Sequence, residues 1–268
     1  MPSSSRRRLK RSPHRRLLRG WKFGALGVAV VGLGLAAVVG WLVLGGSEEG
    51  PEGPPRAAII DQLSMTIPNP SFVDEATTKL ERASYVVDYY PGDRVTVDFM
   101  RRLPAYGYDL ILLRMHSDRL QGEWRGQQID EAVLFSGEPF DETKYLDDRN
   151  EARLTRARYL TGDEELFGIS PDFLYDRMLG DFDGATVIAM GCDGLSTTRM
   201  AEAFIDKGAG AFIGWDELVS ASHTDAAIDV LLQHLTSGLP AEAAVERTMA
   251  DVGPDPAYDS ELQTYTGG

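Results

Sequence analysis

Short runs of apolar and aromatic residues recur along the chain at Ala57–Leu63, Tyr85–Tyr90, Leu110–Met115, Ala185–Met190 and Ala211–Trp215. Their length, and the turn residues that bound them, predict buried β-strands. Between them lie stretches with helical periodicity. Ser71–Arg82 places Phe72, Ala76 and Leu80 on one side, with Ser71 as its expected cap. Val95–Leu103 and Pro171–Leu179 read as further helices, the latter with Ser170 as cap and Pro171 in its first turn. A helix capped by Thr197 or Thr198 gathers Met200, Ala201, Ala203 and Phe204, and Gly208 and Gly210 stop it. Ser222–Thr236 and Pro240–Ala250 complete the set. Residues 117–184 are less regular: Glu131–Ser136 and Ala152–Leu160 are expected as strands of a hairpin-like excursion, Asp141–Glu151 as exposed, and the tail from Gly253 as loop. Strand and helix alternating from Ala57 onward predict an α/β fold, a three-layer sandwich with a mostly parallel sheet.

One apolar stretch breaks this pattern. Phe23–Leu44 runs for 22 residues without a charge, and as a helix it spans about 33 Å, enough for a bilayer core of ~30 Å. Trp21 and Trp41 stand near its ends, and residues 1–22 carry nine Arg or Lys and no acid. The positive flank predicts a single-pass anchor in the cell membrane, N-terminus cytoplasmic and the rest outside. A cleaved signal would carry a shorter apolar run. The expected organisation is therefore a basic tail at 1–22, a transmembrane helix at 23–44 in contact with lipid, a linker at 45–55 and an α/β domain at 56–268.

Charge sharpens the division. Removing the nine basic residues of the tail leaves 18 Lys and Arg against 41 Asp and Glu, a net of −23 for residues 23–268. A domain this acidic is not expected to bind nucleic acid. One cysteine excludes an internal disulfide, so stability rests on the core.

Two residues carry the candidate chemistry. If Leu110–Met115 and Ala185–Met190 are neighbouring parallel strands, His116 and Cys192 both lie at carboxyl ends, where such sheets place ligands. Strand spacing is about 4.8 Å, which brings an imidazole within reach of a thiol and makes a nucleophile for acyl transfer. Each residue alone has a plainer role, the cysteine as a small buried hydrophobe and the histidine as a polar cap. Asp193 and Asp216, near the same sheet end, are candidates to line a pocket for a basic side chain. Ser64, Ser117 and Ser196 have no identifiable base. His223 and His234 are 11 residues apart and match no zinc spacing, and no phosphate loop is present, so neither metal nor cofactor is expected.

The order of an apolar strand ending in His116-Ser117, a long insertion, then VIAMGCDG and MAEAFIDKGAGAFIGW resembles the caspase–hemoglobinase fold, the group of caspases, gingipains, separases and CHAT-domain peptidases. The resemblance implies a caspase-like cysteine peptidase in which His116 is the general base, Cys192 the nucleophile, and the N–H groups of Ser117 and Cys192 the oxyanion donors, acting on a peptide or protein. This chain departs from the family pattern at Ser117, where Gly is common, and at Gly191, where Ala or Ser is common. The family also includes members without activity, which implies the alternative of a binding or sensing module displayed at the membrane.

Overall fold

The computed structural model describes residues 53–159 and 163–267. The basic tail, the Phe23–Leu44 span and the linker up to Glu52 lie outside these residues. Among the described residues no helix is long and apolar enough to cross a membrane.

The five anticipated strands form one sheet. They are β1 (Arg56–Asp61), β2 (Val86–Pro91), β3 (Leu110–Arg114), β8 (Thr186–Ala189) and β9 (Ala211–Trp215). All pair in parallel in the order β2-β1-β3-β8-β9, and β10 (Leu262–Tyr265) closes the β9 side antiparallel. Every residue of β3 is buried. That follows from its central place, since a parallel strand covered on both faces is apolar along its length, here residues 110–113, and Arg114 at its end is buried only with charged partners. Two apolar clusters lie on the two faces. One joins Ile59, Leu112, Ile188 and Trp215 to α1 (Pro70–Arg82), α6 (Ala221–Thr236) and α7 (Ala241–Val252). The other joins Ile60, Leu113, Val187 and Phe212 to α2 (Val97–Arg102), α4 (Pro171–Arg177) and α5 (Arg199–Asp206). Helix, sheet and helix thus make three layers.

The irregular region is a second, antiparallel sheet of β4 (Ser117–Trp124), β5 (Gln127–Pro139), β7 (Glu165–Ile169) and β6 (Leu154–Arg158), in that order from edge to edge. A short helix α3 (Leu146–Asn150) precedes β6. β4 and β7 were not expected. In β4 only Ser117 is buried, so no apolar run marks it, and its turn is Arg125-Gly126, both at positive φ, without the usual Asn-Gly signature.

Three local expectations change. β1 ends at Asp61 rather than Leu63, because the chain turns there into a 3-10 segment, Gln62–Met65, closed by Ser64 Oγ donating to the Asp61 carbonyl at 2.7 Å. The α1 cap is Asn69, whose side chain accepts the Phe72 N–H at 3.2 Å, and Ser71 sits inside the helix behind Pro70. The tail is not all loop: Leu262 faces the core, and Asp255 gathers the N–H groups of Ser220 and Ala257 at 2.9 and 2.8 Å to lead the chain back to β9.

Candidate functional site

β3 and β8 are neighbours, and their register pairs Leu113 with Ala189. His116 and Cys192 are each the third residue beyond that pair, so both leave the sheet at the same height. Gly191 makes the approach tight. A Cβ on it would clash with the Met115 carbonyl oxygen and the Ser117 hydroxyl and lie 3.1 Å from the Ser117 nitrogen. Only glycine lets the two turns meet here. Ser117 Oγ then donates to the Cys192 carbonyl at 2.5 Å and stitches them together.

The side chains nonetheless have separate partners. His116 Nε2 lies 3.0 Å from Thr66 Oγ1, and its ring packs against Tyr159 and Phe135 with centroids 5.0 and 6.0 Å away. Its N–H donates to Gln62 Oε1 at 2.9 Å, and the Gln62 amide donates to the Tyr159 hydroxyl at 2.6 Å. Cys192 Sγ has its own partner, lying 3.5 Å from the Val219 N–H nitrogen and 3.7 Å from the Val219 carbonyl oxygen. Among the described residues no hydrogen bond joins thiol to ring. Adjacency in register brings the two backbones together without pairing their reactive atoms.

Electrostatics keep both groups neutral. Burial, then the nearby Arg114 charge, holds His116 below the ordinary imidazole value. The unfolded ring takes up a proton first, so His116 weakens folding as pH falls below about 6.5. Burial pushes the Cys192 thiol up, and Asp193 and Asp118 push it further against the opposing Val219 N–H. The resting sulfur is a thiol rather than a thiolate.

The β4–β5 ladder orients one of the two oxyanion candidates, Ser117. Phe135 N–H bonds the His116 carbonyl at 2.9 Å, which makes His116 and Phe135 a hydrogen-bonded pair of the β4–β5 ladder. Ser117, opposite Leu134, is then the non-bonded pair, and its N–H points away from β5. Asp193 follows the cysteine at φ 57° and is nine-tenths buried. Burial, then Asp118 and Glu217, raises its carboxyl, while Arg119 pulls it down; that arginine is itself committed to Asp130 at 2.6 Å. Asp216 is turned away toward β10, where it accepts the Glu261 N–H at 2.8 Å and the Gln263 amide at 2.9 Å.

A buried ionic group beneath His116 lies outside the expectations drawn from the chain's pattern. Arg114 is fully enclosed, with Nη1 2.7 Å from Asp61 Oδ1 and Nε 2.8 Å from Asp225 Oδ1. A second Asp225 bond and one to the Ile67 carbonyl, at 2.9 and 3.1 Å, occupy Nη2. A charge inside the run LILLRM was the available signal, because a buried cation demands partners. Gln62, Thr66 and Val219 carried none.

Elsewhere, a cleft of about 510 Å³ on the second sheet is lined by Trp124, Phe140, Arg149 and Arg156 and shares no residue with this site. His223 and His234 do not meet: the first packs on Trp215, the second bonds Asp251. Among the described residues no group of three or more His, Cys, Asp or Glu is placed to hold a metal. No protein-family model matches the chain, and neither does any of the curated proteins compared with it.

Proposed function

We propose that this is a caspase-like cysteine peptidase whose nucleophile is Cys192 and whose base is His116. The observation that carries the reading is their equivalent position beyond one register pair of adjacent parallel strands. His116 takes the thiol proton, and the thiolate attacks a peptide carbonyl while the N–H groups of Ser117 and Cys192 hold the oxyanion. The C–N bond breaks, the imidazolium returns its proton to the leaving amine, and a thioester remains. Water, deprotonated by His116, then releases the acid and the thiol. Because Thr66 and Val219 hold ring and sulfur at rest, reaction requires both to turn toward the shared turn. Asp193, buried and acidic beside the nucleophile, supports preference for a substrate with a basic side chain.

The test is labelling of Cys192 by an arginyl and an aspartyl peptide probe that each acylate thiols. Labelling should vanish in Cys192→Ala, fall at least tenfold in His116→Ala, and rise with pH toward the raised thiol range. Asp193→Asn should cut the preference for the arginyl probe by roughly ten- to a hundredfold, the worth of one charge-assisted hydrogen bond. Labelling indifferent to His116 rejects the dyad. It would then favour the second reading, an inactive binding or sensing module, which the separate bonding of ring and thiol supports.

The Phe23–Leu44 run and its basic flank support display of this domain outside the cell membrane, N-terminus in. Protease added to intact cells should remove the domain and spare an N-terminal tag. A domain protected until the membrane is opened reverses the orientation.

A further inference from the structure

We infer that Arg114 is a positioning residue for His116: its buried guanidinium sets the Gln62–Ile67 loop, and that loop holds His116 by backbone and ring. The inference rests on His116 as the base. The connections run in one chain. Arg114 Nη2 donates to the Ile67 carbonyl at 3.1 Å, one residue beyond Thr66, whose hydroxyl meets His116 Nε2 at 3.0 Å. Asp61, the residue just before Gln62, is bound to Arg114 Nη1 at 2.7 Å, and Gln62 Oε1 receives the His116 N–H at 2.9 Å. Both ends of the loop are thus tied to one side chain, and both contacts to His116 lie between those ends.

The same guanidinium reaches across the site. Asp225, in the first turns of α6, takes two of its N–H groups and also accepts the Asn69 amide at 2.9 Å. Val219, which engages the Cys192 sulfur, lies just before that helix. Arg114 therefore fixes the elements that flank the ring on one side and the thiol on the other. Lysine cannot replace it, because a single ammonium does not present a planar fork to Asp225 while also reaching Asp61 and Ile67. The groups facing the His116 ring are Thr66 from the loop, Phe135 from β5 and Tyr159 after β6, with Arg114 the neighbouring charge.

The experiment is carbethoxylation of the full chain in detergent by diethylpyrocarbonate, followed at each histidine by mass spectrometry. Arg114→Lys should raise the His116 rate about tenfold, equivalent to one lost hydrogen bond, and leave His223 and His234 at their original rates. Thr66→Val should free the ring directly, and in that background Arg114→Lys should add less than about twofold, since the Thr66 hydroxyl is the loop's hydrogen bond to the ring that the reagent modifies. General loosening would instead raise His223 and His234 together with His116 and combine additively, which overturns the inference. Asp225→Asn, which keeps the shape but weakens the grip on the guanidinium, is the second variant if Arg114→Lys does not fold. An unmoved His116 rate in it also overturns the inference. The readout needs no catalysis, so failure of the peptidase reading appears separately, as Cys192 labelling indifferent to His116.

Discussion

Arg114→Met is expected to lose about 3–5 kcal/mol of folding stability, the typical cost of removing one member of a buried ionic group. The side chain has no exposed surface, and Asp61 and Asp225 beside it are also enclosed. Without the guanidinium two carboxylates remain buried with only neutral donors, the Tyr89 hydroxyl on Asp61 at 3.1 Å and the Asn69 amide on Asp225 at 2.9 Å. Methionine fills much of the volume, so the loss measures uncompensated charge rather than a cavity. The triple replacement of Arg114, Asp61 and Asp225 by apolar residues of similar size should recover most of it, as buried ionic groups often add little net stability over well-packed apolar ones. Urea denaturation followed by far-UV circular dichroism measures both. A single variant within about 1 kcal/mol of wild type contradicts the argument.

Gly191→Ala should lose about 1–3 kcal/mol, the usual cost of forcing a methyl group into a filled site. The new carbon would press on the Met115 carbonyl and on the Ser117 hydroxyl. Neither can retreat freely: the first belongs to the chain leaving β3, and the second is bonded to the Cys192 carbonyl. The two turns must separate, moving the nucleophile from the base strand, so the His116-dependent part of Cys192 labelling should fall with stability. Gly194→Ala is the control. Its nearest neighbours lie at 3.5 Å, ordinary contact, and it should stay within about 0.5 kcal/mol of wild type. Equal denaturation midpoints for the two variants would show that the close approach at Gly191 is not what holds the turns together.

The amino-acid pattern by itself determined the alternation of strands and helices, the parallel core, and the height at which His116 and Cys192 leave it. Those properties follow from which positions face the core, and hydrophobic period reports that along the chain. LILLRM and TVIAM could be read as central strands because both faces of β3 and β8 are covered. β4 could not, since its exposed residues bury nothing that would leave a mark, and β10 contributes only Leu262 to the core. Tertiary structure alone decided what each functional atom bonds. His116 finds Thr66 across 50 residues, Arg114 finds Asp225 across 111, and Cys192 finds Val219 rather than the histidine at the neighbouring strand end. Period says that a residue is covered but not by what, because the partner of a polar atom depends on how separate loops close over the sheet. Adjacent strand ends are about 4.8 Å apart whatever the side chains do, and the direction in which each side chain turns was set by donors and acceptors that no local spacing contains.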